Sequence, residues 1–313
     1  ELEALRHEHT LLEDRIREQL SSRLHTHAEA IQEAFQKAGE LDIVIAKGKQ
    51  VLSMRLCRPR ISQGATRFKK IFNPQVREAL AKEGKRFQPV DVSIAPKATL
   101  ISGANMKGKS AILKTVALAQ TLFQFGFHVP AEEAEIAPVD GVRLCTGDEQ
   151  DELQGLSSYA SEMLRVNSIA QEVKGGANLL VLVDELARTT NPNEGRAIVN
   201  AVLDFLSARG TRSLITSHYG GIEADCLRMR VRGFVSENVS GRLTIDNINE
   251  HIDYSLVEDS GDTVPQEAIR IARLLGVDCD LLDSAEHYLE ENITNTRGQA
   301  KAENAAPGEI TNK

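Results

Sequence analysis

The run Gly103-Ala104-Asn105-Met106-Lys107-Gly108-Lys109-Ser110 carries the most legible chemistry in this chain. It fits G-x-x-x-x-G-K-[ST], a loop that wraps a phosphate. Gly103 and Gly108 let the backbone turn its N–H groups inward around an anion. The N-terminus of a following helix adds a favourable dipole. In such a loop Lys109 reaches the β- and γ-phosphates of ATP, and the Ser110 hydroxyl binds Mg²⁺. Further along, Leu179-Leu180-Val181-Leu182-Val183 runs straight into Asp184-Glu185. Acids at the end of such a strand stand where ligands bind in a parallel sheet. Asp184 would hold Mg²⁺, and Glu185 would be the general base that polarises the attacking water. His218 closes a third apolar stretch, Thr211–Ser217. A histidine there hydrogen-bonds the γ-phosphate or the lytic water, or serves the structure alone.

These groups need strands that end together and a helix that starts at the loop. Thr99–Ile101 reads as a strand and Ala111–Gln120 as the helix after the loop, so the phosphate-binding set runs from Gly103 to Ala111. That helix is apolar nearly all round to residue 127, which predicts burial. The unbroken apolar run before Asp184 predicts a strand covered on both faces of a parallel sheet. Phe87–Ile94 reads as another strand, and Ile136–Val142 as a strand with a turn at its middle. Phe87 either stacks on adenine or belongs to the core. Gly155-Leu156-Ser157-Ser158 reads as a loop entering a helix that runs to about Lys174, with Ser157 or Ser158 as its cap. Asn191-Pro192 opens a helix to about Ala208. Residues 225–258 alternate as strands around a hairpin turn at 238–241.

Before the loop, residues 1–56 repeat Leu5, Leu12, Ile16, Leu20, Leu24, Ile31 and Phe35 at helical spacing. Gly39 is expected to break this helix, with a second from about Leu41 to Leu56. Arg55, Arg58, Arg60, Arg67, Lys69 and Lys70 form a basic cluster. It either meets phosphates or an acidic partner, or is a solvated surface, the commoner fate of such runs. Val264–Leu289 reads as a helical pair broken at Gly276-Val277-Asp278, and the polar residues from 291 on as a disordered tail.

The chain has 313 residues and a formal net charge of −8, which argues against a whole surface built for nucleic acid. Its four cysteines are far apart with no C-x-x-C pair, so a zinc site is not expected and reduced cytoplasmic thiols are. No apolar run reaches membrane-spanning length. The first residue, Glu1, stands inside a helical pattern, which suggests the C-terminal part of a longer chain.

Taken in order, these motifs resemble the C-terminal ATPase domain of the MutS family, a branch of the ABC ATPases. The Asn105-Met106 pair resembles that family's G-P-N-M-G-G-K-S loop. Phe127-His128-Val129-Pro130-Ala131 resembles its Y-V-P-A segment. Asp151-Glu152-Leu153 through Glu162-Met163 resembles its D-D-L-x-x-G-x-S-T-F-x-x-E-M segment. Asp184-Glu185 and Thr216-Ser217-His218-Tyr219 resemble its D-E and T-H-Y. The resemblance implies an α/β P-loop fold with a mostly parallel central sheet, preceded by lever helices and followed by dimerisation helices. It implies ATP hydrolysis with Mg²⁺, and two subunits, identical or related, closing over two nucleotides. It assigns Ser157 to the partner subunit's γ-phosphate, Asn105 to the phosphates or water, His218 to the switch position and Phe87 to adenine. The implied domains are 1–56 lever, 57–250 ATPase, 251–290 dimerisation helices and 291–313 tail.

The chain departs from the mismatch-repair pattern at Ala104, Lys107 and Leu156. Arg188-Thr189-Thr190-Asn191-Pro192 stands where G-R-G-T-S is usual. That run, like the acidic Ser255–Thr263 segment, looks more like the MutS-like ATPase subunit of lysine 5,6-aminomutase reactivase. The leading expectation is therefore a motor acting on a cobalamin-dependent aminomutase. The alternative is the motor of a mismatch-repair or recombination protein acting on DNA.

Overall fold

The computed structural model describes residues 1–103, 108–146, 158–235, 251–259 and 267–289. The chain forms two compact units, Glu1–Leu56 and Cys57–Lys313. The first consists of α1 (Leu2–His25) and α2 (Ala28–Met54), neither with a buried residue. The helix breaks at Thr26-His27 and not at Gly39. Thr26 folds its hydroxyl back onto the Arg23 carbonyl at 2.7 Å. Gly39 stays helical, spanned by a 3.3 Å bond from Gln36 to Glu40. A glycine inside a helix costs only about 1 kcal/mol against alanine.

In the second unit a small sheet has the order β1 (Arg60–Ile61), β5 (Glu133–Ile136), β2 (Thr66–Ile71), β3 (Val90–Ile94). Between β2 and β3 lies α3 (Pro74–Lys82), capped by the Asn73 side chain with proline at its first position. The central sheet has the order β10 (Ile252–Glu258), β9 (Leu227–Phe234), β4 (Ala98–Ser102), β8 (Arg212–Thr216), β7 (Leu179–Val183), β6 (Gly141–Cys145). Its pairings are parallel except β9 with β10.

Alternation along the central strands sorts side chains to two faces. Ile101, Leu180, Leu182 and Leu214 join Ile112, Leu113 and Val116 of α4 (Gly108–Gln124) and the apolar side of the small sheet. Leu100, Val181, Val183 and Ile215 join Ile169 and Val173 of α5 (Ser158–Lys174) and Val199 and Leu203 of α6 (Pro192–Ser207). The fold is thus α/β with a mostly parallel central sheet and helices on both faces. The full burial of β7 on both faces explains its unbroken apolar sequence. Beyond β10, α7 (Glu267–Leu274) is followed by a helix over 279–289, the two parting at Gly276.

Two strand expectations need correction. The stretch from Phe87 becomes a strand only at Val90, because Pro89 has no N–H for a ladder. Ile136–Val142 is not one bent strand. Pro138 ends the pairing of β5, and β6 restarts at Gly141 in the other sheet. The turn at 238–241 and the tail from 291 lie outside the described residues. Among the described residues, no helix is long and apolar enough to cross a membrane.

Candidate functional site

Strands β4, β8 and β7 are parallel neighbours, so Gly103, Ser217 and Asp184 leave the same edge of the sheet. Gly103 has φ 129°, a backbone that a side chain would strain. Ala104, Asn105, Met106, Lys107 and Ser157 lie outside the described residues. The chain resumes at Gly108, the first residue of α4. Lys109 is 5% exposed, and its Nζ donates to the Gly103 carbonyl at 2.5 Å. Burial pulls its ammonium below the ordinary lysine range, while the carboxylates of Glu185 and Asp184 push it back up. The three charges therefore share one site. Ser110 and Ala111 follow, both half-buried.

In the turn after β7 each amide from Asp184 to Arg188 donates a hydrogen bond. Asp184 donates to the Cys145 carbonyl at 2.8 Å. Glu185 donates to Thr216 Oγ1 at 2.7 Å, and that hydroxyl donates to Asp184 Oδ1 at 2.8 Å. Leu186 donates to the Thr216 carbonyl at 3.4 Å, and Arg188 to that of Glu185 at 3.2 Å. Ala187 donates to Glu162 Oε1 of α5 at 3.0 Å, and its carbonyl accepts the Tyr219 hydroxyl at 2.7 Å. Both Glu185 and Ala187 have positive φ, 51° and 61°. Such non-glycine residues cost about 1–3 kcal/mol each and persist where neighbours over-determine them. The Glu185 Oε2 also accepts from Arg188 Nη1 at 3.1 Å. Burial raises the Glu162 carboxyl above its usual range, against the opposing pull of its bond from Ala187.

His218 is exposed, with its ring 4.3 Å from that of Tyr219. Phe87 is half-buried ahead of β3. Its neighbour Gln88 bonds Asp253 Oδ1 at 2.7 Å and accepts from the Tyr254 amide at 3.1 Å. This ties that segment to β10. A Cβ on Gly108 would stand 2.5 Å from Tyr254 Cδ1, so the ring covers the start of α4 and the position must be glycine. Burial pushes the Asp253 carboxyl up. Bonds from Ser255, Gln88 and Arg232 outweigh it and hold the group at about 2.

Sequence reasoning named Lys109, Asp184 and Glu185, which the fold brings together. It gave no role to Thr216, Tyr254 or Glu162. Thr216 had a signal, a hydroxyl closing an apolar strand beside the acids. Tyr254 had none, since its position follows from the pairing of β10.

The arrangement is a buried cation facing two carboxylates at the C-terminal edge of a parallel sheet, the place where such sheets bind ligands. The MutS domain V family matches residues 99–292. The chain belongs to the MutS family. Among MutS relatives, it is 31% identical over 280 residues to "Endonuclease MutS2" of Caldanaerobacter subterraneus subsp. tengcongensis, covering 88% of this chain and 33% of that protein. It is 31% identical over 299 residues to the protein of that name from Thermus thermophilus, covering 93% and 37%. With that of Geobacillus thermodenitrificans it shares 33% over 215 residues, covering 67% and 26%. The chain spans about a third of the length of the first of these MutS relatives.

Proposed function

We propose that this chain is the Mg-ATP-hydrolysing motor of a MutS-type protein that acts on DNA. The observation that carries the reading is the meeting of Lys109, Asp184 and Glu185 at one sheet edge beneath a phosphate-loop sequence. The donor set fits its ligands. Lys109 offers a buried ammonium to phosphate oxygens, and Asp184 Oδ1 is fixed by Thr216. Mg²⁺ would be held by Asp184 and Ser110 and would neutralise phosphate charge. Glu185 takes the proton of the attacking water, for which its carboxylate must leave Arg188. Phe87 takes the adenine side, the Tyr254 ring covers the start of α4, and His218 completes the switch. Ser157 serves the site of a second subunit, in a dimer with itself or a relative.

DNA is the client because the relatives' name is that of an endonuclease. No residue of this chain is assigned to strand cleavage. The aminomutase reading rested on the Arg188–Pro192 run, the acidic Ser255–Thr263 segment and the acidic net charge, and none of the three relatives' names supports it. The four free cysteines suit a cytoplasmic setting.

The test is ATP turnover of the full-length protein with mismatched duplex, plain duplex, or an inactivated cobalamin-dependent aminomutase. Stimulation by DNA that fades steeply with salt is expected. Stimulation by the aminomutase alone would overturn the choice of client. Lys109→Ala should abolish tight ATP binding, and unchanged affinity would remove the phosphate-loop reading.

A further inference from the structure

The peptide of Ala187 is held from both sides by groups that the proposed reaction does not use. Glu162 Oε1 accepts its N–H, and on the peptide at the other side of the residue the Tyr219 hydroxyl donates to its carbonyl. The two come from separate elements. Glu162 lies on α5, Tyr219 just past β8, and Ala187 past β7. The position is built for this. A Cβ on Gly195 of α6 would overlap the Tyr219 ring, so the ring lies against the helix backbone. The Tyr219 amide is fixed by Ser217 Oγ at 3.1 Å. Glu162 is half-buried and sits near Arg165, Arg188 and Tyr219. Ala187 itself is fully buried with a left-handed backbone, two residues after Glu185, which is also left-handed. A turn with two such residues springs back to ordinary backbone angles unless something holds it.

We infer that Glu162 and Tyr219 are positioning residues for Glu185, clamping the Ala187 peptide so that the carboxylate stays where water is attacked. This rests on the reading of Glu185 as the base. Neither residue has a nucleotide role in the proposed reaction. Their loss should lower kcat and leave KM for ATP in place, because binding depends on Lys109 and the loop. The acceptor, and not the charge, is what Glu162 supplies. Glu162→Gln keeps a carbonyl oxygen for the Ala187 amide, whereas Glu162→Ala removes it.

The experiment uses the full-length protein, with two readouts on Glu162→Ala, Glu162→Gln and Tyr219→Phe. Turnover at saturating ATP should fall about tenfold to a hundredfold in Glu162→Ala and Tyr219→Phe, the range for a small displacement of a reacting group. Glu162→Gln should stay within about threefold of the parent, since it keeps the acceptor. Amide hydrogen exchange over residues 184–188 should speed up by about tenfold in Glu162→Ala, with the rest of the sheet unchanged. Unchanged exchange would overturn the clamp. Faster exchange with unchanged kcat would overturn its positioning role. A drop in Glu162→Gln as deep as in Glu162→Ala would do the same, because the charge would then matter. A parent with no turnover that depends on Glu185 would sink the hydrolysis reading and the positioning role with it, while the exchange readout would still decide the clamp.

Discussion

Two charged stretches could each do chemistry on paper, and the structure treats them in opposite ways. Around β2, Lys69 pairs with Glu133 at 2.7 Å, Lys70 with Glu132 at 2.8 Å and Arg67 with Glu135 at 3.7 Å. All three cations are at least half exposed. Exposed pairs of this kind are screened by water and add little to stability. After β7, Asp184 and Glu185 sit at the end of a fully buried strand, hold their backbone through Thr216 and face a buried lysine. Charge in a sequence is informative when the strand that delivers it is buried, because only there can water not answer it. The solvated reading of Arg67, Lys69 and Lys70 is the one these pairs support.

The contrast breaks first at Glu185. Glu185→Gln should bind ATP with parental affinity and lose at least about a hundredfold in turnover, the scale of a missing general base. Single-turnover measurements check this, and surviving hydrolysis would place the base elsewhere. Next is Thr216, where shape and hydrogen bonding can be separated. Thr216→Val keeps the volume but strands Asp184 Oδ1 and the Glu185 amide, at a cost of about 1–3 kcal/mol. Thr216→Ser should recover most of that in urea unfolding, and equal losses in both would mean that packing alone matters.

A smaller effect is expected at Asp253. Its folded pKa of about 2 lies below the ordinary aspartate value, so the stability it adds is present above pH 4. That contribution fades as pH falls towards 2. Asp253→Asn should flatten the acid limb of the stability curve, and an unaltered limb would assign the acid sensitivity to other carboxylates. The smallest effect belongs to the basic stretch. Lys69→Ala with Lys70→Ala should leave the urea midpoint essentially unchanged and leave the salt dependence of the proposed DNA binding unchanged. A shallower salt dependence would give that surface a phosphate contact after all.

Period and punctuation made much of this fold legible. The run Leu179–Val183 announced a strand covered on both faces, Asn191-Pro192 the start of α6, and the helix expected to about Lys174 is α5. Local signals failed where tertiary pairing decides. Pro138 looked like a turn within a strand, but its neighbours belong to two sheets. Gly39 looked like a stop but lies within α2, because helix propensity is weak beside the continuity of a long helix. Within the site, strand ends could be read from sequence. The Tyr254 ring over Gly108 and the Glu162 bond to Ala187 could not, since each joins residues that no local pattern connects.

The neighbours of β4 carry one more consequence, for the order in which the protein is made. Among the described residues this strand, which leads into the phosphate loop, pairs with β8 and β9, whose residues leave the ribosome more than a hundred positions later. At about 5–20 residues per second, Leu100 and Ile101 wait roughly ten seconds for sheet partners. The loop can be translated early, yet it has no edge to sit on until β8 and β9 arrive. A nascent chain stopped before Arg212 should therefore present apolar strands to chaperones and no assembled nucleotide site.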